Sequence, residues 1–311
     1  MAVYDETTEF DTDLFYIDTV AHNKKRSIGI LVFRNGDESA IFDSGMPNST
    51  QNIVSAFEDF GITNTSIRYI MLSHRHIDHA GAASVLLRQF PHAIIAVHPF
   101  SAKHLVDPSK IYEGGRELFG DYATPMNSVP VASIHELQDN ESIHVGKEII
   151  KAIYAPGHTS DHIAYYIPSR RVLYSGDAIG AYDTRRGRVY PTCMYPSFDY
   201  EKYQKTLSRI SQLDFDKVVF PHFGAVSGKG AKQSLKDSLS IHRELERVVE
   251  EYVGENNEEK IIGELKYALR DATEIFPESV REKAAEYMAR GFFEGSRTPR
   301  SSSVNRSSDS I

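Results

Sequence analysis

Directly after the apolar segment Ile67 to Leu72, the run His74-Arg75-His76-Ile77-Asp78-His79 brings three imidazoles and one carboxylate together. Neutral imidazole nitrogens and carboxylate oxygens are the donors that zinc and iron accept, whereas thiolates suit softer sites. His74 and His76, two apart in the chain, can chelate one ion, and Asp78 and His79 face a second point nearby. A single histidine in such a loop is more often a packing or surface residue. A whole cluster behind a buried strand would repel and desolvate itself without a counter-ion, so it reads as a metal site.

Three later segments offer donors of the same kind. Gly157-His158 sits in a turn between strands, Ser175-Gly176-Asp177 ends one strand, and Pro221-His222 ends another. Upstream, Ala40-Ile41-Phe42 runs into Asp43-Ser44-Gly45. Each alone is ordinary loop chemistry. Together they fall at strand ends, where layered α/β proteins gather the loops that handle ligands.

The elements that must position these loops alternate strand and helix. Ile28 to Phe33 and Ala40 to Phe42 read as strands around the hairpin turn Asn35-Gly36. Asn48-Ser49-Thr50 caps a helix with the stripe Ile53, Phe57 and Phe60, stopped by Gly61. A helix from about Ala80 to Phe90 follows the histidine cluster, and Ala93 to Val97 is the next strand. Residues 101–130, broken by Asp107-Pro108, Gly114-Gly115 and Gly120-Asp121, read as a cover over the sheet. Further strands at Ile143 to Tyr154, Ile163 to Ile167, Val172 to Tyr174 and Val218 to Phe220 continue the rhythm of an α/β protein. A helix at Tyr200 to Gln212 interrupts them, and beyond Gly230 the apolar stripes are helical throughout. The expected division is a site-bearing domain over 1–230, a helical extension over 231–294 and a disordered tail over 295–311 that holds seven serines.

Composition narrows the function classes. The 311-residue chain has a formal charge of −8, which argues against a generic binder of nucleic-acid backbones. Its one cysteine, Cys193, excludes an intramolecular disulfide and suits a reducing cytosol. No apolar run approaches the roughly 20 residues of a membrane span. Met1 to Phe10 is acidic and lacks the look of an export signal. A cytoplasmic protein is the expectation.

The ordered set of His74-Arg75-His76-Ile77-Asp78-His79, Gly157-His158, Gly176-Asp177 and Pro221-His222, with Asp43 upstream, resembles the metallo-β-lactamase-fold metallohydrolase superfamily over roughly residues 12–227. The resemblance implies an α/β protein, a four-layer αββα sandwich of two mixed sheets with helices outside. It implies that His74, His76 and His158 bind a first metal, that Asp78, His79 and His222 bind a second, and that Asp177 bridges them. Asp43 would steady the ligand loop from behind. Two divalent ions, zinc first and iron or manganese as alternatives, would share a hydroxide of lowered pKa. Its target would be an ester-like bond of a small molecule: a thioester, a lactone or another small carboxylic ester. Asp78 would also orient that hydroxide. The glyoxalase II-like and lactonase-like branches agree with this ligand set, whereas the related diiron redox branch carries a glutamate where this chain has His76.

The stretch Tyr182 to Tyr200, with Arg185, Arg186 and Arg188, follows Asp177 and is expected to hang over the metals. Tyr182 is its candidate catalytic residue, a donor to a developing oxyanion, and the arginines could hold a carboxylate or phosphate. His162 is expected to pack beneath the site, and Cys193 to be an inert thiol. Two other readings stay open: a small-ligand sensor or receptor with a dinuclear metal site, and a phosphodiesterase or nuclease of the same fold. A homodimer through the C-terminal helices is also entertained.

Overall fold

Strand after strand in this chain is apolar on both faces, and a strand can be so only when something packs on each side of it. In the computed structural model, which describes residues 1–253 and 257–297, that requirement is met by two seven-stranded sheets stacked face to face. The alternation sorts the side chains. Leu14, Tyr16, Leu31, Phe33, Ala40 and Phe42 point into the layer between the sheets, against Tyr165, Ile167, Val172 and Tyr174 of the opposite sheet. Their neighbours Phe15, Ile17, Ile30, Val32 and Ile41 point outward beneath helices, as do Ala164, Leu173 and Val218 on the other side. Full burial of Phe33 or Phe42 contributes about 1.5–3 kcal/mol each, and the two sit in the central layer at 0 % exposure.

The first sheet runs in the order Thr8–Asp11, Leu14–Asp18, Gly29–Asn35, Glu38–Phe42, Ile67–Met71, Ile94–Val97, Ile134–Glu136. Its first three pairings are antiparallel and the remaining three parallel. The second sheet runs Val3–Tyr4, Gly224–Ser227, Lys217–Phe220, Val172–Tyr174, Ile163–Ile167, Glu148–Tyr154, Ser142–Val145. There only Val172–Tyr174 and Lys217–Phe220 pair in parallel. Both sheets are therefore mixed and helices flank them, the αββα sandwich that the motif order implied. Phe42, Met71, Tyr174 and Phe220 end four of the parallel strands, and the loops that carry Asp43, the histidine run, Asp177 and His222 leave from those ends.

Several elements differ from their sequence-based outlines. The helix expected from Ala80 to Phe90 is two pieces, Ile77–Ala80 and Ala83–Gln89. The Ala82 N–H is diverted to the carbonyl of Gly45 at 3.0 Å, which ties this turn to the loop after Asp43. Gly81 permits the approach, since a Cβ there would lie 2.1 Å from the Ile77 carbonyl oxygen. A two-stranded hairpin, Ala181–Asp183 with Arg188–Tyr190, was not foreseen.

Beyond residue 228 the helices Lys229–Val253, Glu258–Leu269 and Glu278–Arg297 share one apolar cluster with the outer face of the second sheet. The last of these includes Gly295, Ser296 and Arg297, three residues of the expected tail. Gly295 packs against Phe198, where a Cβ would come within 2.8 Å of the ring. The rest of that tail lies outside the described residues. Among the described residues no helix is long and apolar enough to cross a membrane.

Candidate functional site

The strand Ile67–Met71 delivers Ser73 and the histidine run to the edge of the sandwich, and the turn after Tyr154 delivers His158 to the same point. There His74 Nε2 lies 2.9 Å from His76 Nδ1, and His158 Nε2 lies 3.0 Å from the same atom. Three ring nitrogens thus converge on one spot. Beside it, His79 Nε2 and His222 Nε2 are 3.2 Å apart, with Asp78 Oδ2 at 3.5 and 3.3 Å from them. Asp177 lies between the two groups. Its Oδ2 is 3.3 Å from His158 Nε2, and its Oδ1 is 3.8 Å from both His79 and His222. That Oδ1 is buried and has no hydrogen-bond partner. A buried carboxylate oxygen without a partner is costly unless a cation meets it.

The other nitrogens of these rings are held from behind. Asp43 accepts from the Ser73 N–H at 2.6 Å, the Ser73 hydroxyl at 2.8 Å and the Tyr174 hydroxyl at 2.7 Å, and pairs with His79 Nδ1 at 2.7 Å. His158 Nδ1 faces the carbonyl of Thr192, and His222 Nδ1 faces that of Ser27 at 2.9 Å. These contacts fix the rotation of the His79, His158 and His222 rings and leave their Nε2 atoms facing the cluster. His162 accepts the Asp177 N–H at 2.9 Å and its ring stacks on His74, beneath the site.

One supporting residue escaped the sequence reading. Asp161, fully buried, accepts from the Arg75 N–H at 3.1 Å, from the Arg75 guanidinium and from Ser101, so it anchors the loop between His74 and His76. Its only prior signal was an arginine inside a buried loop, a charge that must find a carboxylate.

Charge divides the site into two halves. Burial pushes the imidazoles of His74, His76 and His158 down, with the neighbouring rings adding to it, to about 3 for His76 and about 4 for His158. Three neutral nitrogen donors result. Burial opposes charge on His79 and His222 as well, yet Asp78 and Asp177 outweigh it, helped at His79 by Asp43. They lift His79 to about 10 and His222 above its usual value. Burial also works against the Asp78 carboxylate, but His79 and His222 hold it well below the usual carboxylate range. This half of the site demands positive charge, and in the chain by itself protons supply it. Divalent cations fit the same demand, with donors of a type that zinc, iron and manganese accept.

A cleft of about 130 Å³ leads to the cluster and is lined by His76, Asp78, His158, Asp177 and His222 at its floor. The remaining sequence candidates lie elsewhere. Tyr182 does not reach the cleft: it is 3 % exposed, its ring stacks on Phe220 at 5.4 Å, and it lines a separate polar cavity. Its neighbour Ala181 lines both the cleft and that second cavity. Arg185 and Arg186 pair with Glu274, Arg186 also with Asp183 and Asp271, and Arg188 lies 3.9 Å from Glu244. They fasten the hairpin to the C-terminal helices rather than reaching over the cluster. Cys193 is buried, which pushes its thiol up, and it donates to the Met288 carbonyl. His104, left aside in the sequence, lines the cleft wall.

Comparison with known proteins adds an independent line. Residues 27–222 match the model described as the metallo-beta-lactamase superfamily. Over 209 residues the chain is 30 % identical to a metallo-beta-lactamase fold-containing protein of Sulfurisphaera tokodaii, covering 65 % of this chain and 75 % of that one. It is 27 % identical over 125 residues to a hydroxyacylglutathione hydrolase of Legionella pneumophila, of which it spans only 38 %. A solved metallo-beta-lactamase family protein of Thermus thermophilus superposes with a TM-score of 0.60 at 19 % identity, covering 92 % of this chain and 93 % of that one, a likeness of fold alone.

Proposed function

Since the chain belongs to the metallo-beta-lactamase superfamily, we propose that it is a metal-dependent hydrolase cleaving an ester-like bond (a thioester, a lactone or another small carboxylic ester) in a small molecule. The observation that carries this reading is Asp177, whose two oxygens face two separate nitrogen groups while one of them lacks a hydrogen-bond partner. His74, His76 and His158 would hold one divalent ion, and Asp78, His79 and His222 a second, with Asp177 shared. Such a pair, zinc first and iron or manganese as alternatives, supplies Lewis acidity to a carbonyl oxygen and lowers the pKa of water toward neutrality.

The chain's own residues do the rest. Asp78, which lines the cleft, would accept a hydrogen bond from the attacking water and take up its proton. Asp43, Thr192 and Ser27 keep the rings from turning as charge develops. The proposed helical extension from residue 231 would contribute Ala272, Phe276 and Met288 to the cleft wall. The lone buried thiol of Cys193 supports a cytoplasmic setting. A domain division at 230 remains our reading, with the extension serving the site.

Two tests follow. Protein expressed with ample metal and purified without chelator is expected to carry close to two ions per chain by elemental analysis. Dialysis against a strong chelator should abolish hydrolysis across an ester, thioester and lactone panel. Persistently fewer than one ion per chain would sink the dinuclear reading. Tyr182→Phe, by contrast, is expected to change turnover by less than about twofold, because an oxyanion donor must touch the reacting group and this hydroxyl does not enter the cleft. A tenfold loss in kcat with unchanged metal content would restore it as a catalytic candidate.

A further inference from the structure

We infer that the site selects esters or thioesters whose acyl group is apolar and of medium length, and that this acyl group lies in the cleft between the cover helix Ser109–Phe119 and the C-terminal helices. The inference rests on the hydrolase reading above and adds to it the substrate's chemical class.

The cleft's walls are of a different nature from its floor. The floor is the histidine and aspartate cluster, whereas Ile77, Ile111, Phe119, Ile275, Phe276 and Met288 form an apolar wall continuous with it. Those side chains come from three segments far apart in the sequence. Ile77 belongs to the histidine run itself, Ile111 and Phe119 to the cover helix, and the other three to the segment from 275 to 288. An apolar surface assembled from such distant parts, opening on a polar floor, suits a ligand with one polar reacting end and one apolar body.

The cations on the walls are already committed. Arg75 is bound to Asp161 and stacks over Phe100, and Lys110 also has a partner. Glu117, the acid of the cover helix at the cleft, accepts the Tyr287 hydroxyl. Both fixed cations of the walls thus have partners of their own, whereas a methylene chain needs no charge to replace its water. The wall draws side chains from three segments, more apolar surface than a small acyl group such as acetyl can cover.

Each methylene moved from water into such a wall should raise kcat/KM by roughly three- to fourfold until the cleft is filled. The experiment is a series of p-nitrophenyl esters and N-acetylcysteamine thioesters of the straight-chain acids from acetyl to decanoyl, with the metal-replete full chain. The expected profile climbs with length in both series, by about 10²-fold or more between acetyl and octanoyl. Met288→Trp should move the optimum toward shorter acyl groups.

Binding gives a separate readout. The chain has no tryptophan, so Phe276→Trp installs a single fluorescent reporter in the wall. Its emission is expected to respond saturably to decanoate and far less to butyrate. Hydrolysis of all lengths at equal kcat/KM, with no length-dependent emission change, would overturn the acyl pocket and leave the hydrolase reading standing. Length-dependent binding without hydrolysis of any ester or thioester would do the reverse. If Met288→Trp does not fold, the length profile of the unaltered chain still decides.

Discussion

Asp177→Asn protein is expected to retain at most one divalent ion per chain and to hydrolyse its best ester at least about 10³-fold more slowly than the parent, equivalent to roughly 4 kcal/mol of lost transition-state stabilisation. The side chain stands between two groups, with Oδ2 toward His158 and Oδ1 toward His79 and His222. Asparagine keeps the volume but offers one oxygen, so one group would face an amide N–H instead of a carboxylate oxygen. It also removes the charge that helps hold His79 and His222 protonated in the chain by itself. The backbone of residue 177 should stay in place, because its N–H goes to His162 at 2.9 Å and its carbonyl accepts from Thr192 at 3.0 Å, neither through the side chain. Circular dichroism should therefore match the parent while elemental analysis and kcat do not. A variant with two ions and parental turnover would remove Asp177 from the bridging position.

The parts of the site that the sequence displayed are those whose donors are consecutive or close a strand. The histidine run, His158, Asp177 and His222 each sit where an apolar segment stops, and a buried strand must end in a loop at the sheet's edge. The two-faced burial of Leu14–Asp18 and Ile163–Ile167 was likewise written in uninterrupted apolar runs. Tyr182 was misplaced for a simple reason: proximity to Asp177 in the chain says nothing about phase. Tyr182 stacks on Phe220 and lines the neighbouring cavity, while the cleft takes only Ala181 from its strand. Asp161 went unseen because its partner Arg75 is 86 residues away, and no local pattern announces such a pair. The C-terminal helices showed their apolar stripes, but an amphipathic stripe does not specify its dock. That is set by close approaches such as Gly291, where a Cβ would meet the Cys193 carbonyl oxygen at 2.0 Å.

Asp78→Asn separates proton handling from metal holding, and it is expected to keep the fold and most of the metal while lowering kcat by about 10²-fold or more. Asp78 occupies the first turn of the short helix Ile77–Ala80, is 7 % exposed and borders the cleft. Its Oδ2 lies 3.3 Å from His222 and 3.5 Å from His79, so it is both a donor atom for a cation at that point and the cluster carboxylate of the histidine run. The amide retains an oxygen that can still ligate, weakly, beside two intact imidazoles; hence the metal content should fall far less than in Asp177→Asn. What the amide lacks is the negative charge and the capacity to take up a proton from an attacking water. The loss should therefore appear in kcat rather than KM, because binding of the substrate's apolar body does not involve this residue. Both variants must be compared at measured metal content with one ester, since lost metal alone would imitate lost chemistry. Fully loaded Asp78→Asn protein turning over at the parental rate would defeat the proton-handling role, and a loss of rate strictly proportional to lost metal would reduce Asp78 to a ligand.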